Sequence, residues 1–171
     1  LNYTQINNYL KNNQEIDKFA TIQNSRVVFF KQNAVRVVNI KLLVSQNQSY
    51  FEFLNDNLLI GSTKINQIGN LPCVWIGAGL ADALHTLPSD TMQILFTNNI
   101  EQSLLTFQLP NFSSAIIGGI YQSNVKDYDI DYAFASSPIM LKYFRDNNLE
   151  SYNTIEIRIK NLNKLDKITN E

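Results

Sequence analysis

The fold of this chain is decided by the stretch Cys73-Val-Trp-Ile-Gly-Ala-Gly-Leu-Ala-Asp-Ala-Leu84. Its apolar first half predicts a short buried strand over residues 71–76. Gly77 and Gly79 then open a short helix, which we expect over residues 80–84. The stretch therefore predicts a strand that passes directly into a helix.

A long hairpin is predicted immediately downstream. It spans residues 92–112, and its two arms are expected at residues 91–97 and 106–109. The following strand, residues 112–121, contains Gly118-Gly119. Glycines inside a strand usually mark a bulge or a tight bend, so we expect one here.

The C-terminal third contains two more predicted strands and one capped helix. Residues 127–135 alternate between acidic and apolar side chains, which predicts a strand with its aspartates on one solvated face. Ser136 or Ser137 is placed to cap a helix that begins at Pro138. Residues 154–159 alternate isoleucines with polar side chains, the pattern of a half-buried strand.

The N-terminal third begins with a helical pattern. Apolar side chains at helical spacing predict a helix over residues 3–13. Residues 19–30 and 34–44 are rich in Val, Ile and Phe, and the polar turn at residues 31–33 joins them into a strand hairpin. Residues 51–60 mix apolar and polar side chains without a clean period, so we expect a loop with a helical turn.

Composition excludes several classes of protein. A chain of 171 residues can bury about two-thirds of its unfolded surface. With 14 basic and 15 acidic side chains it lacks the positive field of a nucleic-acid-binding protein. A single cysteine, Cys73, excludes an internal disulfide and a cysteine-based zinc cluster. No transmembrane run or signal peptide is visible, and we interpret the chain as a soluble domain excised from a larger protein.

Three groups of residues invite a chemical interpretation, and each has a structural one. Gly77 and Gly79 suggest a dinucleotide-binding turn, but Asp82 occupies the third glycine position, so a tight strand-to-helix turn is favoured. His85 is the only histidine, and we expect it at a helix end. The aspartates of residues 127–131 lack the glycine and glutamate of a calcium loop. We therefore expect no enzyme activity, cofactor or metal site.

The hairpin carries apolar residues where hairpin tips are normally polar. Either this segment folds back onto the sheet as ordinary core, or it projects and offers apolar surface to a partner. The candidate partner-binding residues are Leu104, Leu105, Phe107, Leu109, Pro110 and Phe112.

The order of these elements resembles a known family. Ile76-Gly-x-Gly-Leu-Ala-x-x-Leu84, the strand Met92-Gln-Ile-Leu95, Ile117-Gly-Gly-Ile120 and Asp131-Tyr-Ala-Phe134 follow one another as in the periplasmic core domain of ABC-transporter permeases of the LolC/LolE and MacB type, within the FtsX-like group. The resemblance implies an α+β fold. In that family a porter-like α/β subdomain is formed by both chain ends, here residues 1–75 and 150–171, and a β-rich subdomain, here residues 76–149, is inserted.

The resemblance also implies a function. Such a domain lies on the periplasmic face of the bacterial inner membrane, in a membrane-embedded permease that couples ATP hydrolysis to release of a lipoprotein or export of an amphiphile. Its partners would be a second permease subunit, a cytoplasmic ATPase subunit, lipoprotein cargo, and a periplasmic lipoprotein carrier or adaptor protein. The hairpin would be the hook that binds the carrier. The alternatives are a MacB-type efflux or FtsX-type signalling permease, or a small-molecule-binding α/β enzyme built around the Gly77–Asp82 turn.

Overall fold

A computed structural model describes residues 3–43, 48–97, 105, 112–147 and 153–161 of the chain. The described helices are α1 (Tyr3–Asn12), α2 (Gln48–Asn57), α3 (Ala78–Leu84), α4 (Lys126–Asp131) and α5 (Pro138–Asp146). The described strands are β1 (Ile16–Lys31), β2 (Ala34–Leu43), β3 (Leu58–Gly61), β4 (Gln67–Ile68), β5 (Leu71–Gly77), β6 (Thr91–Phe96), β7 (Ser113–Tyr121), β8 (Tyr132–Ala135) and β9 (Asn153–Ile159). The predicted α+β class is confirmed.

Six of these strands close into a barrel. Neighbouring strands pair in the order β1, β2, β8, β5, β7, β6, and β6 pairs back with β1. The β2–β8 and β5–β7 ladders are parallel and the other four are antiparallel. The remaining strands extend this barrel, because β3 pairs with β7, β4 with β5, and β9 with the first half of β1.

The barrel interior is filled by the inward-facing side chains of all six strands. Side chains on a strand alternate between the two faces of the sheet, so each strand contributes every second residue to the interior, except where the β5–β7 register shifts. These buried residues form one cluster, to which the strands contribute Val27, Phe29, Val38, Ile40, Leu42, Val74, Ile76, Met92, Ile94, Phe96, Ala115, Ile117, Ile120, Ala133 and Ala135.

Two helices cover opposite ends of the barrel. Helix α3 follows β5 and α5 follows β8, and because β5 and β8 are antiparallel the helices leave at opposite ends. Leu84 of α3 and Phe144 of α5 both belong to the interior cluster. Ser137 caps α5 as predicted, since its hydroxyl accepts a 3.0 Å hydrogen bond from the backbone N–H of Met140.

A second apolar layer lies outside the barrel, beneath α2. Trp75, Tyr121 and Phe134 face outward from β5, β7 and β8, and Leu54 of α2 is buried against them. The prediction of a loop with a helical turn over residues 51–60 is therefore wrong. Adjacent apolar residues conceal a helical period here, and packing against the barrel, rather than local propensity, stabilises α2.

The prediction of a strand over residues 127–135, between β7 and β8, is wrong for most of its length. Residues 126–131 form helix α4, so the aspartates do not share one face of a strand, and only residues 132–135 are extended. Asp129 stabilises the start of this helix, because its carboxylate accepts hydrogen bonds from the backbone N–H and hydroxyl of Ser123 at 2.7 and 2.8 Å. A carboxylate in the first turn also complements the helix dipole.

The two predicted subdomains share one barrel core. Strands β1 and β2 come from residues 1–75 and β6, β7 and β8 from residues 76–149, yet all five belong to one barrel. A division between these segments would cut through the interior cluster. The two-subdomain division, with its third segment at residues 150–171, stays a prediction.

Gly77 is required by close packing and not by its backbone angles. Its φ of −70° and ψ of 155° are open to any residue, so the turn itself does not need glycine. A Cβ at Gly77, however, would lie 2.4 Å from the Cα and the carbonyl oxygen of Asp129. The missing side chain lets the backbone of α4 pack directly on the end of β5.

Asp90 holds the turn that leads into the hairpin. Its carboxylate accepts hydrogen bonds from the backbone N–H of Leu87 and the hydroxyl of Thr86, both at 3.0 Å, and lies 3.3 Å from the Lys31 ammonium. The hydrogen bond from Leu87, then that from Thr86 and the Lys31 charge, lower the pKa of Asp90 below its usual range.

We expect Gly77→Ala to lower the free energy of unfolding by about 3 kcal/mol or more, because two backbones must separate to admit the methyl group. Gly69→Ala is the matched control: Gly69 has open space around it and a φ of +57°, so only backbone strain of about 1 kcal/mol is expected. Denaturant unfolding of the two variants measures both values. Equal losses would contradict the packing explanation.

We expect Asp90→Asn to destabilise the protein near neutral pH and to have little effect in acid. A carboxyl whose folded-state pKa is lowered contributes stability above its unfolded pKa of about 3.9, and this is lost as the pH falls through the folded-state value. Unfolding midpoints at about pH 6 and about pH 3 test this. A difference between variant and parent that stays constant across this range would disprove the assignment.

Candidate functional site

The predicted hairpin is described at its base. Strand β6, the predicted first arm, pairs with β7, the strand predicted to follow the hairpin, with Thr91 opposite Ile116 and Ile94 opposite Ser113. The predicted second arm, residues 106–109, lies outside the described residues. The same holds for four of the candidate partner-binding residues, Leu104, Phe107, Leu109 and Pro110.

The two candidate residues that are described both reach solvent. Leu105 is 81% exposed and Phe112 is 48% exposed. The Phe112 ring also meets the ring of Phe30 on β1 edge to face, with 5.3 Å between centroids. Phe112 is therefore anchored to the outer face of the barrel while part of its ring remains accessible.

An apolar surface continues from Phe112 across the outside of the barrel. In the β1–β2 ladder Phe30 stands opposite Val35 and Val28 stands opposite Val37, on the face that points away from the interior. Val35 and Val37 are 46% and 51% exposed. We call these five residues, Val28, Phe30, Val35, Val37 and Phe112, the hairpin-base patch.

Charged side chains border the hairpin-base patch. Lys31 ends β1 beside it, paired with Asp90 and donating to the carbonyl of Thr91 at 3.3 Å. Arg26, two residues before Val28 on the same face of β1, is exposed at the other side of the patch. Arg36 is exposed too, but it stands opposite Phe29, so its side chain leaves the other face of β2 and its guanidinium donates to the carbonyl of Val35 at 2.8 Å. An apolar centre with a polar border is the usual composition of a protein-binding surface. Their sequence predicts only a strand hairpin for these valines, although the spacing of Val35 and Val37 places them on one face.

A cluster of polar and aromatic residues lies on another face, around the buried Lys41 of β2. Its side chain is only 7% exposed, and its ammonium donates to Glu156 at 2.8 Å, to the Tyr50 hydroxyl at 3.1 Å and towards the Tyr128 hydroxyl at 3.5 Å. The ammonium also lies 5.1–5.4 Å from the ring centres of Tyr50, Tyr128 and Tyr132. A buried ammonium is stabilised here by one carboxylate and by the negative faces of aromatic rings.

Tyr50 completes this cluster as a donor. Its hydroxyl donates to the second carboxylate oxygen of Glu156. Burial, and then the hydrogen bond to Glu156, raise the pKa of Tyr50 above its usual range, so the hydroxyl keeps its proton. No local sequence pattern predicts this cluster, because its members come from α2, α4, β2, β8 and β9. The one signal was a lysine between Ile40 and Leu42 in an apolar strand.

The structure does not bring the other residues singled out from the sequence together into a site. His85 ends α3 with a left-handed backbone, φ of 49°, and is exposed. The space beside Gly77 is filled by the backbone of Asp129, which leaves no room for a phosphate at that turn. Cys73 is buried, and burial raises the pKa of its thiol. Within the described residues no group of His, Cys, Asp and Glu side chains is arranged to hold a metal ion.

Comparison with known proteins relates the fold to a transporter domain. No protein-family model matches the chain, and no curated protein sequence matches it. Among solved structures it is similar to the extracellular domain of the noncanonic ABC-type transporter YknZ from Gram-positive bacteria. The two share 8% sequence identity with a TM-score of 0.55, over 98% of this chain and 77% of the other. The likeness shows a shared fold.

In the parts of the chain that the structure describes, no helix is long and apolar enough to cross a membrane.

Proposed function

We propose that this chain is an extracytoplasmic domain of an ABC-transporter permease, and that the hairpin and its base bind a partner. The observation that carries the proposal is the likeness of nearly the whole chain to a transporter's extracellular domain. The order of the Gly77–Leu84 turn, the hairpin and the Gly118-Gly119 strand, which resembles FtsX-like permeases, supports the same class.

The finer proposal is a permease of the lipoprotein-releasing type. In it, ATP hydrolysis by a cytoplasmic subunit is coupled to release of a lipoprotein at the periplasmic face of the inner membrane, with a second permease subunit beside this one. The periplasmic lipoprotein carrier would dock on the hairpin. An exposed Leu105 and the hairpin-base patch suit an apolar partner surface, since exposed apolar surface with a charged border usually marks a protein interface.

The hairpin base can bind a partner without any change in the fold of the barrel. Val37 and Phe112 present part of their side chains to solvent, while Val27 and Phe29 of the same sheet region fill the interior. A partner would bury the outward side chains and leave the interior cluster unchanged. Binding energy at such a surface concentrates in a few central apolar residues.

The transporter class predicts a complex of defined composition. When the complete gene is expressed, we expect the protein to need detergent for extraction and to co-purify with an ABC-type ATPase subunit. Quantitative mass spectrometry of the extracted complex measures this. A protein that is recovered from the aqueous fraction without such an ATPase would contradict the transporter class.

The docking surface predicts a specific loss of binding. We expect Leu105→Asp and Val37→Asp each to weaken binding of the periplasmic lipoprotein carrier at least about tenfold, since a charge would be buried against apolar surface. Leu59→Asp is the control, because Leu59 is similarly exposed but lies on β3, outside the patch. Biolayer interferometry with purified carrier measures the affinities. Unchanged affinity in the first two variants, or an equal loss in the third, would refute this docking surface.

A further inference from the structure

A pocket of about 260 Å³ lies outside the barrel, next to the Lys41 cluster and apart from the hairpin. Tyr50 and Phe53 of α2 and Tyr128 of α4 form one side of it. The opposite side is formed by β1 and β9, which are paired with each other there. The pocket is therefore built by four elements that are distant in sequence.

The apolar wall of the pocket is rigidly held. The Phe53 ring is packed against the rings of Tyr121, Phe134 and Tyr128 at centroid distances of 5.8, 5.9 and 6.2 Å. Tyr128 in turn stacks on Tyr132 at 4.7 Å. Because neighbouring rings fix this side and the β1–β9 ladder fixes the opposite one, the space between them is preformed, as ligand pockets usually are.

Both oxygens of the single carboxylate of the lining already accept a hydrogen bond from a buried or half-buried donor. Glu156 accepts hydrogen bonds from Lys41 at one oxygen and from Tyr50 at the other. A cationic ligand would have to compete with the Lys41 ammonium for this carboxylate. The buried cluster therefore disfavours a positively charged ligand.

Two cationic side chains of the lining stand side by side. Lys18 and Arg158 are directly opposite in the β1–β9 ladder, so they project from the same face. Each also meets one carboxylate that does not line the pocket: Lys18 pairs with Glu52, and Arg158 Nε lies 3.4 Å from Asp17. An ammonium has three N–H donors and a guanidinium five, so these pairs leave donors that can meet an anion.

We propose that this pocket binds a small amphiphile that carries one anionic group. Its apolar chain lies between the aromatic wall of Phe53 and Tyr128 and the side chain of Ala20. Its anionic group meets Lys18 and Arg158. At about 30 Å³ for each water-sized group, the volume holds roughly nine heavy atoms. The site is separate from the hairpin, so the proposal does not depend on the transporter function.

Octanoate, with eight carbons and one carboxylate, is a probe of suitable size and charge. NMR titration of the 171-residue chain is expected to give a dissociation constant of about 1 mM or tighter, with shift changes centred on residues 18–20, 50–53 and 156–158. Octylammonium and octanol, which have the same chain with a positive or no charge, are expected to bind at least about tenfold more weakly.

Variants test the two halves of the site separately. The double variant Lys18→Gln, Arg158→Gln is expected to lose at least about tenfold in octanoate affinity and to leave octanol binding unchanged. Ala20→Leu, which places extra methyl groups in the pocket, is expected to weaken both ligands. Lys64→Gln, an exposed lysine outside the pocket, is the matched charge control and is expected to bind like the parent.

Three results would overturn the proposal. The first is octylammonium binding as tightly as octanoate, the second is shift changes that centre elsewhere, and the third is an unchanged octanoate affinity in the folded double variant. Circular dichroism checks that each variant is folded. If one is not, the comparison of the three ligands on the parent chain decides, because it needs no variant.

Discussion

The parallel β5–β7 ladder is the constraint on which the rest of the structure depends, because it closes the barrel. Its register shifts between Val74 and Trp75, and Gly118 is the residue of β7 that is left over at this bulge. A Cβ on Gly118 would lie 2.9 Å from the Cβ of Cys73, and one on Gly119 would lie 3.1 Å from the Trp75 ring. Two adjacent residues without side chains therefore let these strands approach closely enough to pair.

The bulge also decides which side chains of β7 face inward. Ala115 and Ile117 point into the barrel at a spacing of two, but the next interior residue is Ile120 and not residue 119. The extra residue shifts the alternation by one, so Tyr121 emerges on the outer face. There its hydroxyl shares its proton between the carbonyls of Tyr128 and Tyr132, 2.8 and 3.0 Å away, which ties the second half of the connection into β8 to the barrel. The outer aromatic layer, and with it the pocket beside Lys41, depends on this shift.

The sequence predicts the features that rest on local patterns. The β1–β2 hairpin, the Ser137 cap and the interruption at Gly118-Gly119 follow from period, capping and glycine content, and the structure confirms them. Local sequence patterns do not predict helices α2 and α4, because their side chains pack on an outer face that exists only after the barrel closes. For the same reason the sequence does not predict the cluster around Lys41, whose hydrogen-bond partners lie 9, 87 and 115 residues away along the chain. Of the candidate hairpin residues, Leu105 and Phe112 are exposed and their role in binding a partner stays a prediction, whereas the valines of the patch required the β1–β2 register.

Strand β1 joins the two candidate surfaces. Its first half pairs with β9 and borders the pocket through Lys18 and Ala20, and its second half pairs with β6 and carries Val28 and Phe30 of the hairpin-base patch. At about 3.3 Å per residue, its 16 residues span about 50 Å. Such a strand, hydrogen-bonded on both edges around Ile22 and Gln23, resists bending there more than a loop would. The pocket and the hairpin base are therefore held at a fixed separation by one continuous element, and each can bind its ligand without rearranging the interior cluster between them.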